Sequence, residues 1–232
     1  MYSLDVIVPF YNEEKFLKES VTNLINANVH NKIYLVNNCS TDNSKDIAQS
    51  FSRDREDIVY LETKVTMGKG LGIQTAIQHL ESTHTIIHDA DLEYFPDDIK
   101  TMKELSKNNE NSLILGSRFI GEKERLNKYR RTIFANRFLS NFFSFVHGYS
   151  VSDIATCYKL IPNKYFKKMN LSENGFSIEI EIIAKYLKMN EPQIKEVPIR
   201  YKGRTFEEGK KIKLSDGLQY IVKILYYKFL KI

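Results

Sequence analysis

The sequence contains only two cysteines and no long apolar run, and both absences narrow the class of protein. Cys39 and Cys157 are far apart and lie outside any CxxC pattern, so we expect a reducing compartment and no structural metal. The first ten residues lack the basic segment of a signal peptide, and no uncharged apolar run approaches the roughly 18–20 residues of a spanning helix. Repeats and flexible linkers are missing too. These features predict a single, cytoplasmic domain.

Charge is distributed unevenly along the 232 residues, whose net charge is +5. Residues 118–137 carry a net charge of +5 and residues 200–232 one of +6, which leaves −6 for the rest of the chain. Both basic segments continue into aromatic-rich helical patterns. This arrangement favours a surface for phosphates or for an anionic membrane, with solvated helix faces as the alternative. Nucleic-acid binding is disfavoured, because the basic groups lie beside apolar helices rather than on a polar stripe.

Short β-branched runs alternate with amphipathic patterns, which predicts strands that alternate with helices. The predicted strands are 4–8, 32–36, 58–61, 85–88, 113–117, 156–161 and 194–201, and the predicted helices are 14–27, 43–52, 70–81, 97–107, 130–147, 174–190 and 215–231. Such alternation predicts an α/β fold with a mainly parallel central sheet and helices on both faces. We assign residues 1–212 to this domain and residues 213–232 to a C-terminal amphipathic helix.

Three polar clusters directly follow three of the predicted strands, at residues 9–13, 37–42 and 89–93. Ligands of such sheets bind beyond the carboxyl ends of the strands, so we expect the three clusters to form one site. Taken alone, the first two clusters are also explained by helix capping, through Asn12 in one and through Ser40, Thr41 or Asp42 in the other.

The third cluster places Asp89, Asp91 and Glu93 on alternate positions, which projects the three carboxylates to one side of an extended chain. Like charges at this spacing repel unless a cation neutralises them, and Mg²⁺ or Mn²⁺ favours carboxylate and phosphate oxygens. A lone Asp-x-Asp is more often a solvated turn. The apolar strand before it and the helix start at Pro96 favour a metal site here.

Eight motifs occur in an order that resembles a known family. They are VIVPFYNEE, NNCSTDNS, GKGLG, HDADLEYFPDDI, GSRF, DIATCYK, NGFSIEIEI and EVPIRYKGRTFEEGKKI. Over nearly the whole chain, this ordered set resembles the family-2 glycosyltransferases with the GT-A fold, in particular the dolichyl- and polyprenyl-phosphate sugar synthases. The resemblance implies a Rossmann-like GT-A domain. It also implies a metal-dependent, inverting enzyme that moves a sugar from a nucleotide-diphosphate sugar to a polyprenyl phosphate.

The resemblance implies that Pro9, Tyr11 and Glu13 cradle the nucleoside, with Asn37 or Asn38 near the base. The common form of the second motif is Asp-Asp-Gly-Ser, whereas this chain reads Asn-Asn-Cys-Ser. A carboxylate there accepts a hydrogen bond from a base N–H, while an amide both donates and accepts. A UDP-sugar is the preferred donor by analogy with bacterial members, and a GDP-sugar is the next candidate.

Metal and phosphate ligands are implied in the same way. They are Asp89, Asp91 and Glu93 for Mg²⁺ or Mn²⁺ on the diphosphate, and Arg118, Arg204 and Lys210 or Lys211 for phosphate oxygens. A guanidinium fork suits bidentate contact with such oxygens. Lys69, which precedes a helical pattern, is interpreted as a surface lysine, with contact to the donor phosphate as the alternative.

Asp153 is implied to lie close to the acceptor, and its role depends on what the acceptor is. A lipid monophosphate is largely ionised near pH 7, because its second pKa is about 6, so Asp153 would only orient the reactants. A sugar hydroxyl would instead need Asp153 as a general base.

Two helical patterns bear on the acceptor. Residues 130–147 place four phenylalanines along one stripe behind three arginines, and residues 218–232 are apolar nearly all round apart from three lysines. Lysines interleaved with Tyr and Phe suit a helix at an anionic membrane interface. Core packing of the first helix, and docking of the last one onto the domain or onto a second copy in a homodimer, are the alternatives. The patterns favour a peripheral enzyme at the inner face of the cytoplasmic membrane.

Two other functions are compatible with the same motifs. One is transfer to a sugar hydroxyl of a glycan or lipid-linked saccharide in cell-surface polysaccharide synthesis. The other is a non-catalytic module that binds a nucleotide-sugar or a membrane. The intact carboxylates of Asp89, Asp91 and Asp153 argue against this last function.

Overall fold

The computed structural model describes residues 1–126, 129–189, 191–204 and 214–230. Its strands are β1 (Leu4–Phe10), β2 (Ile33–Asn37), β3 (Ile58–Glu62), β4 (His84–Ile87), β5 (Leu113–Ser117), β6 (Arg125–Leu126), β7 (Lys159–Pro162), β8 (Ile194–Pro198) and β9 (Tyr201–Lys202). Its helices are α1 (Leu17–Ala27), α2 (Ser44–Asp54), α3 (Lys69–Ile77), α4 (Asp98–Lys107), α5 (Arg130–His147), α6 (Asn163–Phe166), α7 (Ile178–Tyr186) and α8 (Leu214–Phe229).

Seven strands form one mixed, mostly parallel sheet in the order β3-β2-β1-β4-β7-β5-β8. Strand β7 runs antiparallel to both of its neighbours, while the other neighbouring pairs are parallel. Every residue of β1, β2, β4, β5 and β7 is buried, so both faces of the sheet are covered. This burial explains why these strands are mostly apolar and do not alternate regularly between apolar and polar residues. The predicted fold class is confirmed.

A buried carboxylate in β1 fixes the start of the neighbouring strand β4. Asp5 of β1 is fully buried, and it accepts hydrogen bonds from the hydroxyl of Ser82 at 2.6 Å and from the backbone N–H groups of Glu81 and Ser82 at 3.1 and 3.0 Å. Several N–H and O–H donors are what a buried carboxylate needs to offset its lost hydration. The amino-terminal ends of the parallel strands β1 and β4 are thereby held side by side.

The strand predicted at 194–201 is interrupted in the structure. It ends at Pro198 and resumes as β9, which pairs with β6 in a separate two-stranded sheet. The backbone N–H of Arg200 donates to Asp98 of α4 at 2.7 Å, and the guanidinium Nε of Arg200 lies 3.1 Å from the same carboxylate. These contacts turn the chain away from the sheet, so β9 points towards the carboxyl edge.

The C-terminal helix α8 packs against α5 and α7. The predicted domain boundary between residues 212 and 213 lies outside the described residues and stays a prediction. Among the helices of the described ranges, none combines the length and apolar character needed to cross a membrane.

Candidate active site

The first two polar clusters meet at the carboxyl ends of β1 and β2. The backbone N–H of Asn12 donates to the hydroxyl of Ser40 at 3.0 Å, and the Asn12 amide oxygen accepts from the backbone N–H of Thr41 at 2.8 Å. The backbone N–H of Glu13 donates to the hydroxyl of Ser44 at 2.8 Å. Asn12 and Ser40 therefore tie two loops together rather than cap the helices that follow them.

Arg204 joins the third cluster to the first. Its guanidinium Nη2 lies 2.6 Å from a carboxylate oxygen of Glu13, and its Nε donates to the backbone carbonyl of Asp91 at 3.0 Å. Its backbone N–H donates to Glu93 at 2.6 Å, and the guanidinium lies 4.3 Å from the centre of the Phe16 ring. One arginine thus connects the ends of β1, β4 and β9, as expected for a single site.

The cluster around Arg204 carries excess negative charge. Glu13, Asp91 and Glu93 contribute three carboxylates against one guanidinium, which gives these four side chains a net charge of −2 when all are ionised. Burial raises the pKa of Asp91 well above its ordinary value, and repulsion from Glu93 and Asp89 raises it further. A divalent cation at Asp91 would relieve that repulsion, so the chemistry of these oxygen ligands fits Mg²⁺ or Mn²⁺.

Glu93 is held away from a shared metal position by two short hydrogen bonds. One carboxylate oxygen accepts from the hydroxyl of Tyr201 at 2.6 Å, and the other accepts from the backbone N–H of Arg204 at 2.6 Å. No group of three Asp, Glu, His or Cys side chains poised to hold one ion occurs within the described ranges. The role of Glu93 as a third metal ligand stays a prediction. It requires Glu93 to give up its hydrogen bond with Tyr201 or with the backbone of Arg204.

Asp89 belongs to a second, electrically balanced group. Lys69 lies 2.7 Å from a carboxylate oxygen of Asp89 and 2.7 Å from one of Glu179, and Lys159 binds the other oxygen of Glu179. Two ammonium groups therefore face two carboxylates. Burial favours a higher pKa for Asp89, but the charge of Lys69 outweighs it and holds the pKa of Asp89 below its ordinary value.

The interpretation of Lys69 as a surface lysine is wrong. Its side chain is only 8% exposed, because the start of α3 lies against the segment that precedes α7. A Cβ atom on Gly70 would overlap the backbone carbonyl of Glu173, which shows how closely the two segments approach. Glycines on both sides of Lys69 were the signal in the sequence for this close packing.

Asp153 and Arg118 form a buried bidentate ion pair. The guanidinium Nε and Nη2 of Arg118 lie 2.7 and 2.8 Å from the two carboxylate oxygens of Asp153, and the backbone N–H of Arg118 donates to the same group at 3.0 Å. The Asp153 side chain is 0% exposed, and the Arg118 guanidinium also lies 4.9 Å from the ring centre of Tyr201. Both oxygens of Asp153 are therefore occupied by one cation.

The predicted nucleoside residues lie at the ends of β1 and β2. Pro9 is buried in β1, and Tyr11 beyond the end of that strand is exposed. Asn37 is buried, with its amide nitrogen 3.1 Å from both Tyr60 and Glu62. Asn38 is also buried, and its amide oxygen has no hydrogen-bond partner within the described part of the chain. An unpaired buried acceptor is costly, so it marks a place where a ligand N–H would bind favourably.

Gly72 of α3 shapes the space beside Asn38. A Cβ atom at this position would lie 3.0 Å from the amide oxygen of Asn38 and 3.1 Å from the Cβ of Pro9. The absence of a side chain keeps both residues in place.

The sequence prediction missed Tyr201, Glu179 and Lys159. Tyr201 binds Glu93, whereas Glu179 binds both Lys69 and Lys159. Lys210 and Lys211 lie outside the described residues, and their predicted contact with phosphate stays a prediction. Asp153 near the acceptor, and Arg118 and Arg204 near phosphate, also stay predictions, although all three residues lie at this edge of the fold.

Comparisons with known proteins agree with the fold. Residues 5–169 match the model of glycosyl transferase family 2. A dolichyl-phosphate beta-glucosyltransferase of Trichomonas vaginalis is 28% identical over 93% of this chain and 70% of its own length. A UDP-N-acetylglucosamine–dolichyl-phosphate N-acetylglucosaminyltransferase of Methanococcus voltae is 25% identical over 98% of this chain and 96% of its own.

The fold is also that of a solved structure, glucosyl-3-phosphoglycerate synthase from Mycobacterium tuberculosis in complex with Mn²⁺, UDP-glucose and phosphoglyceric acid. The two superimpose with a TM-score of 0.75 at 14% identity, over 99% of this chain and 81% of the other. The sheet described above is therefore a GT-A sheet.

Proposed function

The chain belongs to glycosyl transferase family 2, and on that premise we propose that it transfers a sugar from a nucleotide-diphosphate sugar to a polyprenyl phosphate. The observation that carries the proposal is the cluster in which Arg204 connects Glu13, Asp91 and Glu93, three carboxyl groups that share one guanidinium. Its place at the carboxyl edge of the sheet is where a nucleotide binds in such folds. Two relatives that are named for dolichyl phosphate, one of them of similar length, support the choice of acceptor.

We propose a UDP-sugar as the donor, with a GDP-sugar as the next candidate. Pro9, Tyr11 and Glu13 would hold the nucleoside, and the amide oxygen of Asn38 would accept a hydrogen bond from a ring N–H of the base. The burial of Asn38 and the unpaired state of that oxygen among the described residues support this role. Both uracil and guanine carry such an N–H, so this contact alone does not choose between them.

The donor diphosphate would bind between the acidic cluster and the basic groups. Asp89 and Asp91 would hold Mg²⁺ or Mn²⁺, which supplies positive charge to the leaving nucleotide diphosphate when it is bound. Arg204 would turn part of its guanidinium from Glu13 to phosphate oxygens, with Lys210 or Lys211 adding charge. Preorganised cations of this kind stabilise the charge that develops as the anomeric bond breaks.

The ion pair of Asp153 with Arg118 supports an acceptor that needs no base. Because both oxygens of Asp153 accept from Arg118, Asp153 is poised to position that guanidinium rather than to take up a proton. A lipid monophosphate is already ionised near pH 7, and the cation of Arg118 would attract it. The phosphate oxygen would then attack the anomeric carbon directly, and family analogy predicts inversion.

The test is a transfer assay with labelled donors. Radiolabelled UDP-glucose, UDP-N-acetylglucosamine and GDP-mannose would each be incubated with undecaprenyl phosphate and Mn²⁺, and we expect label from one of them in the organic phase. Undecaprenol, which lacks the phosphate, is the matched control and should accept no sugar. Label that appears only on a soluble glycan would favour the hydroxyl acceptor. Metal-independent nucleotide binding without any transfer or hydrolysis would favour a non-catalytic module.

A further inference from the structure

Helix α5 exposes a row of phenylalanines to solvent. Phe134, Phe138 and Phe145 are 75%, 51% and 86% exposed, although Phe is among the residues that folded chains usually bury. Their spacing of four and seven residues places them on one face of the helix. The opposite face, with Leu139 and Phe143, is buried in the domain. We call the exposed row the α5 stripe.

Helix α8 repeats the same arrangement. Tyr220, Ile224 and Tyr227 are buried against the domain, while Leu218, Val222, Leu225 and Phe229 are exposed on the other side. A helix at the surface of a soluble domain normally carries polar residues on that outer side. We call the exposed residues the α8 stripe. The two helices are neighbours, since the imidazole Nε2 of His147 at the end of α5 lies 3.0 Å from the backbone carbonyl of Ile224.

Basic side chains accompany both stripes. Arg130, Arg131 and Arg137 are exposed on α5, and that helix contains no acidic residue. Lys228 is exposed on α8. Exposed cations beside apolar side chains are the pattern by which interfacial helices bind anionic lipid. In a symmetric dimer through the same stripes, these cations would be brought close to their own copies and would repel each other.

We infer that the α5 and α8 stripes are the surface by which the protein docks on an anionic lipid leaflet, with the phenylalanines in the acyl boundary and the arginines at the headgroups. The inference rests on the proposed function only in so far as a lipid acceptor requires contact with a membrane. Binding to lipid is measured without any sugar transfer, so the two proposals can fail separately.

The experiment is co-sedimentation of the full chain with vesicles. We expect binding to vesicles of phosphatidylcholine with one third phosphatidylglycerol and at least tenfold weaker binding to phosphatidylcholine alone. The triple variant Phe134→Ser/Phe138→Ser/Phe145→Ser, and separately Leu218→Ser/Val222→Ser/Phe229→Ser, should each weaken binding to the anionic vesicles at least tenfold. The variant Arg130→Glu/Arg131→Glu should do the same without any loss of apolar surface.

The matched control is Val65→Ser/Met67→Ser, which removes two apolar side chains of similar exposure from the loop before α3. It should bind vesicles like the unaltered chain. Stabilisation by UDP with Mn²⁺ in a thermal-shift assay should persist in the stripe variants and shows that they are folded.

Three results would overturn the inference. They are no binding by the unaltered chain, an equal loss in the control, and a dimer in gel filtration that the phenylalanine variant dissociates while vesicles bind neither protein. Vesicle binding together with no lipid-linked product in the transfer assay would support the docking surface and contradict the proposed acceptor.

Discussion

The ammonium group of Lys69 lies 2.7 Å from a carboxylate oxygen of Asp89, so the first aspartate of the Asp-x-Asp pair is neutralised by a side chain of the protein itself. The second aspartate, Asp91, accepts a backbone N–H from Glu93 and lies 4.0 Å from the guanidinium of Arg204. The two aspartates therefore differ in their electrostatic surroundings. A cation that bridged them would have to share Asp89 with Lys69 or displace it.

Lys69→Met should destabilise the protein and increase its response to metal. Removing one partner of a buried ion pair typically costs about 3–5 kcal/mol, because a carboxylate is left without compensation. Mn²⁺ would then supply the missing charge at Asp89, so the rise in Tm on adding Mn²⁺ should be larger than in the unaltered chain. Lys64→Met, which replaces an exposed lysine nearby, is the control. An equal Mn²⁺ response in all three proteins would mean that Lys69 and the metal do not compete for Asp89.

Asp91→Asn should remove the effect of Mn²⁺ on Tm and leave the metal-free protein at least as stable. The reason is that the charge of Asp91 is opposed by burial and by repulsion from Glu93 and Asp89, which a neutral amide avoids. Differential scanning fluorimetry with and without Mn²⁺ measures both effects. Asp54→Asn, at an exposed position, is the control. An unchanged Mn²⁺ effect in Asp91→Asn would show that Asp91 is not a ligand.

Asp153→Ala should lower the free energy of unfolding by about 3–5 kcal/mol, because it leaves the Arg118 guanidinium buried without its partner. The double variant Arg118→Met/Asp153→Ala should lose less than the sum of the losses in Arg118→Met and in Asp153→Ala. Arg55 and Asp57 form a similarly short pair whose side chains are 42% and 31% exposed, and their coupling energy should not exceed about 1 kcal/mol. Urea unfolding of both double-mutant cycles measures the difference. Equal coupling energies in the two cycles would contradict the prediction that burial strengthens the coupling of Arg118 with Asp153.

Gly72→Ala should weaken nucleotide binding more than it weakens the fold. The added methyl group would press on the side chains of Asn38 and Pro9, and such overpacking typically costs about 1–3 kcal/mol. We expect a higher Kd for UDP by isothermal titration calorimetry, with a modest fall in Tm. Gly217→Ala in α8 meets no neighbouring atom and is the control, which should leave Kd unchanged. An unchanged Kd for UDP in Gly72→Ala would show that Asn38 does not contact the bound nucleoside.

Stability should fall as the pH drops below about 6.5, in part through His147. Burial lowers the pKa of this imidazole, and the charges of Lys228 and Lys188 oppose its protonation as well, although the carbonyl of Ile224 favours it. A base with a lowered pKa in the folded state stabilises the protein fully above the unfolded pKa, and this contribution is lost as the pH falls through the folded pKa. Urea unfolding at pH 7.5 and 5.5 should show a smaller loss for His147→Gln. An identical loss in the variant would assign the effect to other groups.

Much of the fold could be predicted from the sequence, because the five fully buried strands are rich in apolar and β-branched residues and have clear ends. The helix over 130–147 and the strand over 113–117 have the bounds that the patterns predict. The short elements β6, β9 and α6 were not predicted, since two to four residues carry no periodic signal. Their existence depends on distant contacts, such as Arg200 with Asp98.

The gathering of the three polar clusters was also predictable, because it follows from strand order in a parallel sheet. The pairing of charges within the site was not. Whether Arg118 meets a phosphate or Asp153, and whether Lys69 faces solvent or Asp89, depends on tertiary distances that no local pattern encodes. Sequence reasoning assigned Arg118 and Asp153 to different ligands, whereas the structure places them in contact.

The sheet has a consequence for how such a chain can diverge. Strands β3, β2, β1 and β4 all come from the first 87 residues, whereas β7, β5 and β8 come from residues after 112, and the antiparallel β7 is the seam between them. Recombination between genes at the loop after α4 would therefore exchange one complete group of strands for another. Several side-chain contacts cross this seam. Arg204 of the later half binds Glu13 of the earlier one, and Glu179 and Tyr201 of the later half bind Lys69 and Glu93. A hybrid would keep these contacts only if its two parents supplied complementary side chains at these positions.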